Sequence, residues 1–204
     1  MKVLGLRWEP DADCFLFESC KLDLGLIITK RVVLSLVARV FDPLGFLTPL
    51  IIKLKCLFQD IRRFGLNWDE EVSDDTCQQV LKWIEDVEAL KDLEIPRPFN
   101  EREWGPIQFV RLVVFSHASE KAYGTSVYLI STLNDGCTVS KLVSSKAKVA
   151  PLKKVTLPRL ELLESVLAAR LIEFVRKASK IDRSSCSYWS DSTVVLSWIT
   201  DNPS

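Results

Sequence analysis

A chain of 204 residues, 48% of them apolar, is long enough for one large or two small domains with their own cores, which excludes a disordered tail. Its 27 basic and 27 acidic residues cancel, so net charge by itself points to no nucleic-acid partner. The distribution says more: residues 1–70 carry ten Lys/Arg against nine Asp/Glu, residues 71–104 four against ten, and residues 105–204 thirteen against eight, so an acidic middle precedes a basic C-terminal half.

Leu4-Gly5-Leu6-Arg7-Trp8 and Cys14-Phe15-Leu16-Phe17 are short β-prone runs joined by Glu9-Pro10-Asp11-Ala12-Asp13, which reads as a hairpin. Thr29 is placed to cap a helix over 30–41, because its hydroxyl can accept from the first free amides. Pro43 stops that helix by disfavouring the α region for Asp42. A second helix, over 48–64, puts Leu50, Leu54, Leu57, Phe58, Ile61 and Phe64 near one face, and Gly65 ends it. A third, over 74–90, carries Val80, Leu81, Ile84, Val87 and Leu90 toward a core.

Ile95-Pro96-Arg97-Pro98 breaks this periodicity and reads as a linker. Beyond it, 109–115 is a strand almost without polar residues, as expected of a central strand buried on both faces. Strands over 123–130 and 138–146 follow, joined by the turn Asn134-Asp135-Gly136. A long helix over 157–178 is expected to bury Leu160, Leu163, Val166, Leu167, Leu171 and Phe174. A short strand over 185–189 and a helix over 192–199, capped by Asp191, complete the order.

Six cysteines (Cys14, Cys20, Cys56, Cys77, Cys137, Cys186) form no C-x-x-C pair and read as free thiols of a cytoplasmic or nuclear protein. Arg7 and Glu9 interrupt any signal-peptide core, so the chain is expected not to be secreted. The most apolar stretch, 32–52, contains Arg39, Asp42, Pro43 and Pro49, whereas a membrane span needs about twenty predominantly apolar residues. It reads as buried helix and turn, and no membrane partner is expected.

Three antiparallel strands, a crossover helix and a fourth strand have a chemical consequence. If the fourth strand pairs in parallel beside the first, the residues ending them, His117 and Asp191, lie about 4.8 Å apart across the ladder. Glu161, early in the crossover helix, points toward the same carboxyl edge, where α/β sheets place ligands. Asp191 can equally be read as a plain helix cap and Glu161 as a solvated charge, as Glu164 one turn later is expected to be.

Phe115-Ser116-His117-Ala118-Ser119-Glu120-Lys121-Ala122-Tyr123-Gly124, Leu157-Pro158-Arg159-Leu160-Glu161-Leu162-Leu163 and the run from Trp189 to Ile199 resemble the RNase H-like region of Pao (BEL/Pao) retrotransposon polyproteins. Thr29-Lys30-Arg31-Val32-Val33-Leu34-Ser35, Phe41-Asp42-Pro43-Leu44-Gly45 and Asn67-Trp68-Asp69-Glu70 resemble the segment that joins reverse transcriptase to RNase H in the same polyproteins. The implied fold class is an α+β N-terminal helical segment followed by an α/β RNase H-like domain, with three antiparallel strands, a parallel fourth and a crossover helix, truncated at its C-terminus. The implied division is a β-hairpin remnant of the polymerase palm over 1–28, a helical thumb- or connection-like segment over 29–94, a linker over 95–108 and the truncated RNase H-like domain over 109–204.

The resemblance implies hydrolysis of RNA in RNA–DNA hybrids by two Mg²⁺ ions held by four carboxylates, with no small-molecule cofactor. The helix Glu of that pattern falls on Glu161 and the fourth-strand Asp on Asp191. Its first-strand Asp falls on His117, and its last carboxylate lies beyond Ser204. An imidazole suits Zn²⁺ better than Mg²⁺, but further soft ligands are not near in sequence. His117 therefore reads as a lost ligand or an ordinary strand-end histidine, and the ancestral endoribonuclease as inactive in this chain. Lys141, Lys146, Lys148, Lys153, Lys154 and Arg159 form a basic cluster that reads either as a site for the phosphates of a hybrid, in a non-catalytic binding module, or as a solvated loop. Lys53, Lys55, Arg62 and Arg63 likewise read as a primer–template contact or a wet helix face. The polymerase Asp pair is missing, since Asp74-Asp75 opens an acidic helix. An intact polyprotein cut short by gene prediction remains an alternative to decay.

Overall fold

The computed structural model describes residues 2–3, 6–17, 27–98 and 105–200, in two compact units: 1–43 with 47–98, and 44–46 with 99–204. In the first unit, strands β1 (Lys2–Val3), β2 (Leu6–Glu9), β3 (Cys14–Leu16) and β4 (Glu94–Pro96) form an antiparallel sheet in that order. Ile95 and Pro96, expected to open a linker, and Glu94, expected to end the helical segment, are instead its edge strand. Proline is tolerated at an edge because its missing N–H breaks no interior ladder bond. Arg97 fastens this edge by donating to both carboxylate oxygens of Asp13 at 2.6 and 2.7 Å, and Asp13 also accepts from the Trp8 indole at 2.8 Å.

Helices α1 (Lys30–Arg39), α2 (Thr48–Arg63) and α3 (Asp74–Glu88) make up the rest of that unit. Thr29 caps α1, its hydroxyl accepting from the Val32 amide, and Ser73 caps α3 by accepting from Thr76. Val33, Leu36, Leu54, Ile61, Val80, Trp83, Ile84 and Val87 form the core, and each large aliphatic among them contributes about 1.5–3 kcal/mol by leaving water. Phe64, expected in this core, falls past the end of α2 and is 76% exposed, and Leu81 is also exposed. Among the described residues no helix is long and apolar enough to cross a membrane, and the described cysteines are free thiols; Cys20 lies outside the described residues.

The second unit contains β5 (Ile107–Ala118), β6 (Ala122–Leu133), β7 (Thr138–Val149), α4 (Leu157–Ser179), β8 (Cys186–Ser190) and α5 (Thr193–Thr200). Its sheet runs β7-β6-β5-β8, antiparallel throughout except for the parallel pairing of β5 with β8. Strict alternation along β6 buries Tyr123, Thr125, Val127, Leu129, Ser131 and Leu133 on one face. Val127 and Leu129 pack with Leu112 and Val114 of β5 against Ala168, Ile172 and Val175 of α4. Nearer the carboxyl end of β5, Ala118, Tyr123, Ala150, Leu160 and Leu167 form a second cluster.

The buried stripe of α4 differs in phase from the expectation. Leu160 and Leu167 are buried as expected, but the stripe continues through Glu164, Ala168, Ile172 and Val175, while Leu163, Val166 and Phe174 are exposed. This helix is apolar on nearly every side, so its 3.6-residue period fits more than one phase. Only the face that meets the sheet decides which is buried.

Candidate functional site

The parallel register of β5 and β8 ends on the pair Ser116 and Ser190. His117 and Asp191 are the next residue on each strand, and Nδ1 of His117 lies 3.0 Å from Oδ2 of Asp191. A carboxylate only accepts, so Nδ1 of the ring carries the donated proton, and in the neutral form of the imidazole the lone pair is then on Nε2. Both side chains are open to solvent, 71% and 68% exposed.

Serines on either side of Asp191 point the other way, toward α4. The Ser190 hydroxyl donates to Oε1 of Glu164 at 2.8 Å, and the Ser192 hydroxyl donates to Oε2 of Glu161 at 2.8 Å. Ser192 also accepts from the Val195 amide at 3.1 Å. The cap of α5 is therefore Ser192 and not Asp191, whose carboxylate is turned to His117 instead.

Glu164 corrects a second expectation. It is fully buried rather than solvated, and its Oε2 has no hydrogen-bond partner. Burial pushes its carboxyl above the ordinary 4.5; the Ser190 and Ser116 hydroxyls oppose that shift, the nearby charge of Asp191 adds to it, and His117 opposes it. Sequence reasoning missed Glu164, Ser116, Ser190 and Ser192. The available signal was the three-residue spacing of Glu161 and Glu164, which sets two carboxyls on one helix face, together with the Ser190-Asp191-Ser192 run.

The strand ends thus bring His117, Glu161 and Asp191 to one edge, but not onto one point. Among the described residues no three His, Cys, Asp or Glu side chains form a group able to hold a metal ion. The basic residues divide: Lys141, Lys146 and Lys148 stand on β7, opposite Leu129, Thr125 and Tyr123 of β6, and hence on the face of the sheet that α4 covers. Lys153 and Lys154 lie in the connection to α4 and Arg159 in its first turn, all three exposed. His117 pairs with Gly124 and Gly124 with Ala147, so Lys146 and Lys148 flank the row of His117 about 10 Å away, two ladder spacings.

On the opposite face of the sheet, Phe115 and Trp189, a register pair, stack with ring centroids 6.5 Å apart and planes 26° apart. Tyr128 meets Phe115 edge-on at 5.9 Å. Phe115 and Trp189 are 46% and 61% exposed.

An order β7-β6-β5-β8, with α4 carrying the chain from the antiparallel strands to a parallel fourth and carboxylates gathered at the carboxyl edge, defines an RNase H-like fold. The chain matches the model of the Pao retrotransposon-like RNaseH-like domain over residues 29–192 and belongs to that family. Two solved structures are similar to it in outline. One is a foamy viral protease–reverse transcriptase in complex with double-stranded DNA, at 11% identity and a TM-score of 0.33, covering 79% of this chain and 41% of that one. The other is the dRH form of the same viral protein with double-stranded DNA, at 11% identity and a TM-score of 0.30, covering 79% and 35%. The chain therefore spans less than half the length of either. None of the curated proteins matches it.

Proposed function

We propose that this chain is a nucleic-acid-binding RNase H-like module of a retrotransposon Pol protein in which hydrolysis by two Mg²⁺ ions is lost. The observation that carries this reading is the contact between His117 and Asp191. Hard Mg²⁺ takes oxygen donors. Position 117 offers nitrogen, and its N–H already takes up Oδ2 of Asp191. Glu161 is engaged by Ser192 through Oε2, and Oε2 of Glu164, which has no partner, is sealed from solvent. These donors do not fit a pair of hard cations.

Binding rests on Lys141, Lys146, Lys148, Lys153, Lys154 and Arg159, whose charges suit the phosphates of an RNA–DNA hybrid. The helical segment 29–94 acts in this reading as a connection toward a polymerase, with Lys53, Lys55, Arg62 and Arg63 on its wet side. Incubation of the chain with a labelled hybrid tests both parts. Binding is expected to weaken steeply between 50 and about 200 mM salt, with no Mg²⁺-dependent release of 5′-phosphate ends. Magnesium-dependent cleavage abolished by D191N overturns the loss of hydrolysis, and no binding at low salt overturns the module.

A further inference from the structure

We infer that the His117–Asp191 pair is a metal-independent site for cleaving unpaired RNA, with His117 as the general base and the Phe115–Trp189 stack as the platform for a nucleobase. The inference rests on the nucleic-acid-binding reading above and gives the same His117–Asp191 contact a chemical role, with the Phe115–Trp189 face rather than the basic cluster holding the nucleic acid.

The pair has the parts that general-base chemistry needs. Asp191 fixes the tautomer and ring orientation through Nδ1 at 3.0 Å, and the high exposure of both side chains leaves Nε2 accessible to a ligand. By strand alternation the side chains of Phe115 and His117 lie on one face of β5, as do those of Trp189 and Asp191 beside them. Two residues along a strand is about 6–7 Å, comparable to the reach from a stacked base to its own ribose. Exposed, stacked aromatics on a sheet face suit unpaired bases, every one of which has a π-face. Exposed Arg111, on the same face about 13 Å farther along β5, supplies a cation for a phosphate farther along a bound strand.

Seated there, a ribonucleotide places its 2′-hydroxyl against Nε2. The imidazole takes the hydroxyl proton, the O2′–P bond forms and the P–O5′ bond breaks. The departing 5′-oxygen takes a proton from water, and the imidazolium returns its own to solvent. The products are a 2′,3′-cyclic phosphate and a 5′-hydroxyl. No metal ion or redox partner enters the balance. In-line attack by a 2′-oxygen needs a backbone free to turn, which a duplex restrains, so the substrate is single-stranded RNA. Asp191 acts through His117 and is a positioning residue.

The test uses the whole chain, excess EDTA and a single-stranded DNA oligonucleotide containing one uridine ribonucleotide. Cleavage at the uridine is expected to leave a cyclic phosphate, and the all-deoxy oligonucleotide is expected to be inert. H117A should fall about 100-fold or more and recover in part with added imidazole. D191A should slow the parent but leave imidazole-rescued H117A unchanged, which a purely structural role would not do. W189A should weaken single-strand binding about ten-fold. Absence of a cyclic phosphate product at enzyme excess overturns the inference, and so does cleavage that survives H117A undiminished. Hybrid binding at low salt, measured in parallel, reports on the module alone, so the two readings fail separately.

Discussion

Replacing Glu164 by Met should stabilise the second unit. Glu164 is fully buried, has one oxygen bonded to the Ser190 hydroxyl at 2.8 Å and one with no partner. Removing a buried unsatisfied polar atom recovers about 1–3 kcal/mol, and losing the Ser190 bond returns about 1 kcal/mol of that. Ser190 keeps a second role, accepting from the Ser192 amide at 3.2 Å. Met has similar length and adapts to irregular gaps, so the net gain at neutral pH is about 1 kcal/mol, worth roughly 4–8 °C in the melting midpoint of a domain of about 100 residues.

The sign with pH follows from the raised carboxyl of Glu164. Below 4.5 both folded and unfolded chains hold the proton. As pH rises above 4.5 the unfolded chain ionises first, the folded chain still holds its proton, and the parent loses stability until the raised folded value is passed. Melting followed by circular dichroism from pH 4 to 8 should show E164M pulling away from the parent across that window. A gap independent of pH, or an E164M midpoint below the parent's at neutral pH, refutes the reasoning.

H117D should strengthen cation binding relative to the parent, since it removes the donor from Asp191 and supplies a third carboxylate. Its midpoint should rise with Mn²⁺, by about 2.7 kcal/mol in stability at 100 times Kd, and an unchanged midpoint contradicts the donor argument. Gly45 has φ +85° and a side chain there would collide with the Ser145 backbone, whose amide donates to the Leu44 carbonyl at 2.9 Å. G45A should therefore cost about 1–3 kcal/mol in urea unfolding from the left-handed backbone alone, with the collision adding to it. Glu173 is held at about 2 by hydrogen bonds from Arg176, assisted by Lys177. That contribution is complete above the ordinary 4.5 and is lost as pH falls toward about 2, so E173Q should flatten the acid limb of stability there.

Most of the element order of the second unit, and the place of its fourth strand beside the first, were legible in the amino-acid sequence because they rest on local signals. Thr29 precedes its helix, Asn134-Asp135-Gly136 turns the chain, and a strand of apolar residues such as Leu112-Val113-Val114 has to lie inside a sheet. The same patterning placed His117 and Asp191 at neighbouring strand ends, and the resemblance to the Pao pattern put His117 where that pattern has an acid. Periodicity could not choose a phase for α4, because Leu162, Leu163, Val166, Leu167, Leu171 and Phe174 offer apolar atoms around most of the helix. Packing on the sheet made the choice, burying Glu164 with Ala168 and Ile172 and leaving Phe174 outside. That one rotation turned a supposed surface charge into the buried carboxyl beneath the site. Asp191 was likewise assigned as a cap by local sequence, and only the proximity of His117, 74 residues earlier, drew it away and left the capping to Ser192. Side-chain type and spacing are properties of the chain; which face is covered, and which of two available partners a carboxylate takes, are fixed only when distant segments pack.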